Sequence, residues 1–199
     1  GYHCVSVGLL LGAELHLRDG GRDLSAETRR LVEGGIRHSL HATRPTGGLA
    51  PIGDNNAAGT NVNVPALAWY AWDDIAPLAL IRRLAGTPRV RQGVLGQLTP
   101  FIDPEALLDA LEAAGDDVSP PPRTVVQEHV KQVVLRTSWD RRAAMLFLNC
   151  QTVEANGHSD QDPCGFDYCA LGRPLLIDPG RVEYRETEQR RRFRSATYH

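Results

Sequence analysis

The sequence predicts an α+β multidomain chain, with part of a helical toroid or bundle first and part of an antiparallel β-sandwich second. Three observations carry this. Up to residue 114 the apolar residues recur at helical spacing, residues 115–124 read GDDVSPPPRT, and beyond them the apolar period becomes two. Three consecutive prolines, Pro120 to Pro122, cannot continue a helix, so the boundary falls there. The expected domains are therefore 1–114 helical, 115–124 linker and 125–199 sheet.

Each helix has its own signals. YHCVSVGLLLGAELHLRDGG places Val5, Leu9, Leu10 and Leu17 near helical spacing and ends in a Gly-Gly stop. Ser25 is positioned to cap the second helix, in which Leu31, Ile36 and Leu40 mark an apolar stripe and after which Pro45 follows. TGGLAPIGDNNAAGTNVN is a Gly/Asn-rich loop. A third helical stretch covers about Pro65–Leu84, with Trp69, Tyr70 and Trp72 clustered. A fourth, Pro104–Ala114, begins with an Asp103-Pro104 cap signal. Antiparallel helices joined by irregular loops suit a toroid or bundle.

In the sheet region KQVVLRTSW, AAMLFLNCQ, GFDYCAL and PLLIDPG read as short strands, and Leu171-Gly172-Arg173-Pro174 stands where a hairpin turn is needed. The alternation flanking Gly172 predicts Phe166 and Leu175 in the sandwich core.

Composition bounds the function. Of 199 residues 42% are hydrophobic and 23% charged, ordinary for a globular chain able to bury a core. The net charge of −2 argues against nucleic acid as the main partner. The local run Arg190-Arg191-Arg192, then Arg194, reads as a solvated loop, with an anionic ligand as the alternative. Four cysteines (Cys4, Cys150, Cys164 and Cys169), none in a CxxC pair, do not make a disulfide scaffold or a zinc knuckle; they read as small buried residues, and the redox compartment stays open. No apolar run is long enough to span a membrane. The chain opens at Gly-Tyr-His, without Met and inside a helical pattern, and is expected to be an excerpt of a longer protein whose targeting signal lies elsewhere.

The residues best suited to chemistry lie in NGHSDQDPCGFDYCALGRPLLIDPG, residues 156–180. His158, Asp160 and Asp162 alternate, so their side chains can share a side, and Asp178 lies one hairpin away. Imidazole and carboxylates converging on a point suit a divalent cation such as zinc. The other reading of the same residues is a polar loop whose aspartates cap turns. The remaining histidines, His3, His16, His38, His41 and His129, lack such context and read mostly as surface or capping residues.

The segment resembles the signature of the heparinase II/III-like polysaccharide lyases, close to G-H-x-H-x-D-x-x-S-F-x-L-Y-A-x-G-R-P-L-x-x-D-P-G. Gly157, His158, Asp162, Phe166, Ala170, Gly172, Arg173, Pro174, Leu175, Asp178, Pro179 and Gly180 match without a gap. VVLRTSWDRRAAMLFLNC is similar to the strand pair before that motif, GYHCVSVGLLLGAEL and TRPTGGLAPIGDN to the end of the family's toroid, and FRSATYH to a segment beyond the motif. The likeness reaches nearly the whole chain.

The resemblance implies an (α/α) toroid on an antiparallel sandwich, with an acidic polysaccharide, an alginate or glycosaminoglycan, in the cleft between them. It implies cleavage by β-elimination in the bacterial cell envelope, the periplasm or outside the cell. His158 matches the motif histidine implicated in catalysis, and Tyr2 the toroid tyrosine that transfers the proton. Asp178 and His199 match two ligands of the family's metal site, and Asp160 replaces its histidine ligand; the expected cofactor is zinc or another divalent cation. Gly165 stands for serine and Cys169 for tyrosine, and these departures bear on activity and metal content more than on fold. Two rivals come from other classes: a non-catalytic carbohydrate-binding or structural protein on the same scaffold with a degenerate metal site, and a metal-dependent hydrolase.

Overall fold

The computed structural model describes residues 2–51, 62–85, 103–116, 118–151, 164–178 and 187–193. They form an α+β arrangement in two compact units, one comprising Gly1–His41 and Thr60–Pro120, the other Ala42–Gly59 and Pro121–His199. The change of unit at Pro120/Pro121 falls inside the proline-rich stretch, and the segment after the second helix groups with the strands.

The helical unit contains α1 (Tyr2–Asp19), α2 (Ala26–Ala42, its last residue counted with the sheet unit), α3 (Asn63–Trp72), α4 (Ala76–Ala85) and α5 (Pro104–Ala114). The Gly-Gly stop closes α1 as a Schellman turn. Gly21 is left-handed at φ 70°, the Arg22 amide donates to Leu17 O at 2.8 Å and the Gly21 amide to Arg18 O at 2.9 Å. Ser25 caps α2, its Oγ accepting from the Thr28 amide at 3.2 Å. Asp103 caps α5 through the Glu105 amide at 2.9 Å, with Pro104 in the first turn. At the other end of α5, Arg82 of α4 donates to Leu111 O and Gly115 O, satisfying carbonyls that the last turn leaves open.

The faces differ in part from the apolar pattern. In α1 Val7 and Leu11 are buried, whereas Leu9 and Leu10 are exposed; in α2 Val32 is buried with Ile36 and Leu40, and Leu31 is exposed. The single stretch expected over Pro65–Leu84 is two helices. Asp73 adopts a left-handed φ of 58° and its amide returns to Trp69 O at 2.7 Å, so the chain turns there. Asp tolerates this conformation better than most residues, and nothing in the apolar spacing signals it.

The second unit is a five-stranded antiparallel meander in the order β1 (Thr124–Gln127), β2 (Gln132–Arg136), β3 (Met145–Asn149), β4 (Gly165–Ala170), β5 (Arg173–Leu176). All four expected strands are present, and a further one, β1, starts at Thr124, the last residue of the expected linker. The β4–β5 turn consists of Leu171 and Gly172, both left-handed (φ 57° and 77°), with Ala170 paired to Arg173. Two consecutive left-handed residues are what a two-residue hairpin matching the strand twist requires. Arg190 to Arg192 of the basic run lie in a short helix, α6 (Glu188–Phe193), rather than a loop, and Arg192 pairs with Glu188; Arg194 lies outside the described residues.

The inner face of the sheet packs Val134, Met145 and Phe147 against Ala42 and Ala50, with Leu49 and Val125 partly buried beside them. The segment after α2 makes this possible by folding back on itself: Thr43 bridges Leu49, and the Ala50 amide donates to Ala42 O at 3.0 Å. Trp139 is 2% exposed and donates from Nε1 to Pro121 O at 2.8 Å.

The expectation for Phe166 and Leu175 is overturned. They are 45% and 43% exposed. Phe166 pairs with Leu148 and Leu148 with Val133, on the face opposite to Asp167, Phe147 and Val134. The inner face of β4 thus carries Asp167 and Cys169, while the outer face carries the aromatic side chains, because a buried ion pair decides which face turns inward. The outer face is largely apolar, with Val126, Leu135, Phe166 and Leu176 exposed. Such a face is what a β-sandwich packs against its second sheet.

Candidate functional site

Of the predicted site residues, Asp178 has a described environment. It lies just after β5 and is buried, 5% exposed. Tyr2 is the first residue of α1, so the helix start places its backbone. His158, Asp160 and His199 lie outside the described residues. Among the described residues, Asp178 is the one member of this set whose side-chain surroundings are given.

What the fold does assemble in the sheet unit is a buried charge pair that the apolar pattern did not disclose. Arg44, from the segment after α2, meets Asp167 at the centre of β4: Nε donates to Oδ2 at 2.9 Å and a terminal nitrogen donates to Oδ1. The two side chains are 4% and 0% exposed. This is the fork-on-carboxylate geometry for which arginine is suited and lysine is not. Burial works against the Arg44 charge. The hydrogen bonds and charge of Asp167 outweigh it, with Cys169 and Asp178 acting in the same direction, so the guanidinium is held above its usual range.

A second buried arginine stands nearby in the sheet. Arg136 of β2 donates to Thr43 O and lies with its guanidinium 4.2 Å from the centre of the Trp139 ring. Burial lowers its pKa to about 10. Arg44 and Arg136 thus anchor the segment after α2 from two sides, one through a carboxylate of β4 and one through a backbone carbonyl of that segment. The signal for Asp167 was present in the sequence as a lone carboxylate among apolar residues of GFDYCAL; its partner, 123 residues earlier, was not.

Cys169 is buried with its Sγ 3.8 Å from Asp167 Oδ2, and burial followed by the Asp167 charge pushes its pKa up to about 11. Cys164, in contrast, is exposed, contrary to the expectation of buried cysteines, and takes a left-handed φ of 80°. Two outcomes follow. Cys164 is expected to react with a thiol reagent in the native state, whereas Cys169 reacts only on unfolding. Cys169 also contributes a pH-dependent term. A thiol whose folded pKa is raised binds its proton more tightly when folded, so its contribution is complete below about pH 9 and is lost as pH rises to about 11. Urea midpoints measured across that window should fall less steeply for Cys169→Ala than for the unsubstituted protein.

Of the expected metal ligands, Asp178 is the one with a described environment. No group of three or more His, Cys, Asp or Glu side chains is placed to hold a metal ion among the described residues. Asp160 and His199, the other two residues expected to hold the ion, lie outside the described residues.

No known family profile matches this sequence, and no curated protein matches it. Solved structures do. A heparan sulfate lyase from Pedobacter heparinus superposes with a TM-score of 0.70 at 16% identity over 98% of this chain and 27% of that one. A heparinase III gene product gives 0.71 at 17% identity, covering 100% of this chain and 27% of its own. Another heparinase III gives 0.69 at 12% identity over 97% and 29%. Over this span the fold is that of the heparinases. The chain corresponds to about 27% of the length of the lyases it matches. No helix among the described residues is long and apolar enough to cross a membrane.

Proposed function

We propose that this chain belongs to a polysaccharide lyase that cleaves a uronate-containing polysaccharide by β-elimination, in the cell envelope, the periplasm or outside the cell. The observation that carries the reading is the coincidence of two independent likenesses. The chain superposes on a heparan sulfate lyase over 98% of its length, and between Gly157 and Gly180 it matches most positions of the motif without a gap, departing at Asp160, Gly165 and Cys169 among others.

The chemistry assigned to its residues is a proton transfer in two directions. In β-elimination the C5–H bond beside the uronate carboxylate and the C4–O4 bond both break. A C4=C5 double bond forms, the C5 proton goes to a base and O4 leaves with a proton from an acid. No water is consumed. Because the C5 proton is weakly acidic, the charge developing on the carboxylate needs a positive or hydrogen-bonding neighbour. In this reading Tyr2 transfers the proton and His158 faces the carboxylate or shares the transfer. Both groups are able to do so once positioned. Asp160, Asp178 and His199 are proposed as ligands of a zinc or other divalent ion, which when bound would supply fixed positive charge to that part of the sheet unit.

Incubating the gene product that contains this chain with heparan sulfate, with alginate and with a neutral glucan tests the proposal. An ultraviolet absorbance rise from unsaturated uronate is expected with one of the acidic polymers and not with the glucan. Binding of an acidic polymer with no change in its length would instead favour the carbohydrate-binding rival.

A further inference from the structure

The helical unit has a groove that the catalytic reading does not use. It is open, of about 700 Å³, formed where the C-terminal turns of α1 and α3 meet the start of α2, and Arg18, Asp23, Arg29, Tyr70, Trp72 and Asp73 line it. Tyr2 is at the opposite end of α1, 16 residues before Arg18, which at the helical rise is roughly 24 Å away.

The groove is built around a fixed ring. Glu14 is 2% exposed, and its carboxylate accepts from Trp72 Nε1 at 3.2 Å and from the Leu24 amide at 2.8 Å. One buried acid thereby holds the indole and the loop between α1 and α2 together, and the ring has little orientational freedom to lose on binding. Arg29 lies 4.9 Å from the centre of the Trp72 ring and is itself held by Glu33 at 3.1 Å. Beside them Tyr70 is 45% exposed, its ring tilted 60° against Trp69 at a centroid distance of 6.4 Å. Beyond the Arg29–Trp72 stack the surface continues into a second hollow of about 370 Å³, also lined by Arg37 and Asp74.

We propose that this groove binds an uncharged saccharide. Flat aromatic faces suit the C–H face of a pyranose ring, and interspersed guanidinium and carboxylate groups suit its hydroxyls, which both donate and accept. The charges select against a polyanion: within the larger hollow Arg18 and Arg29 face Glu14, Asp23 and Asp73, two positive groups against three negative. The polar lining and the ring held by a buried acid argue against an apolar protein segment as occupant. A ligand longer than one ring is favoured, because the two hollows meet at Trp72. The site is independent of the lyase reading, since none of its residues is assigned to elimination.

Two of the three tryptophans in these 199 residues, Trp69 and Trp72, border the groove, so a ligand seated there should alter their fluorescence. Titration of the gene product with a neutral β-1,4-linked glucose hexamer should change that fluorescence saturably. Trp72→Ala and, separately, Tyr70→Ala should each weaken binding roughly tenfold, the loss of one stacked ring. Tyr70 is exposed, so its substitution leaves the packing in place should Trp72→Ala disturb folding. A β-1,4-linked mannuronate hexamer should not compete for the response. The proposal is overturned if the neutral hexamer produces no saturable change, if Tyr70→Ala binds it unchanged in a folded protein, or if the mannuronate hexamer competes. Loss of lyase activity on any polymer bears on His158 and Tyr2 and leaves this titration unaffected.

Discussion

Asp167→Ala is expected to destabilise the sheet unit by roughly 3–5 kcal/mol, the effect of stripping the partner from a buried charge. Asp167 is fully buried and Arg44 nearly so, so the guanidinium left behind has neither water nor its carboxylate. Arg44→Met alone should be costly for the mirror reason. The combination Arg44→Met with Asp167→Leu should recover most of the loss, because a packed apolar pair carries no desolvation penalty. Urea unfolding of the three variants gives the coupling directly. A cost for Asp167→Ala below about 1 kcal/mol would mean that the pair is hydrated in solution and does not fix the inward face of β4.

The second large effect is on turnover. His158→Ala should lower the elimination rate about 10²–10⁴-fold while leaving the unfolding midpoint unchanged, as expected for loss of a general acid–base group. Tyr2→Phe should be comparably damaging, because it keeps the ring and removes only the hydroxyl that would carry the proton. Full activity of Tyr2→Phe on the cleaved polymer would remove Tyr2 from the mechanism, and full activity of His158→Ala would remove the motif histidine as well. Both variants should bind polymer in the unsubstituted range, which separates a catalytic loss from a binding loss.

The elements were legible where local chemistry decides them. Ser25, Asp103-Pro104 and the Gly20-Gly21 stop act within one turn of the chain, and each caps or ends a helix as its residue type predicts. Leu171-Gly172 formed the expected hairpin for the same reason. What was not legible depends on partners distant in sequence. Phe166 and Asp167 alternate, and hydrophobicity alone turns Phe166 inward; Arg44, 123 residues before Asp167, reverses the choice. TGGLAPIGDNNAAGTNVN read as a plain loop, yet its Leu49 and Ala50 join Ala42, the last residue of α2, in the core of the sheet. Asp73 divides one apolar stretch into two helices through a backbone conformation that spacing does not encode. Of the candidate site, Asp178 follows the hairpin that the sequence signalled, whereas the charge pair of Arg44 and Asp167 had no local signature.

The most direct test of the account is the mass of the products formed from an acidic polysaccharide by the gene product that carries this chain. Elimination redistributes atoms within the substrate. The masses of the two new fragments should then add up to that of the parent chain, with the unsaturated fragment absorbing in the ultraviolet. Fragments that together exceed the parent by one water, with no unsaturated end, would show hydrolysis and contradict the lyase reading.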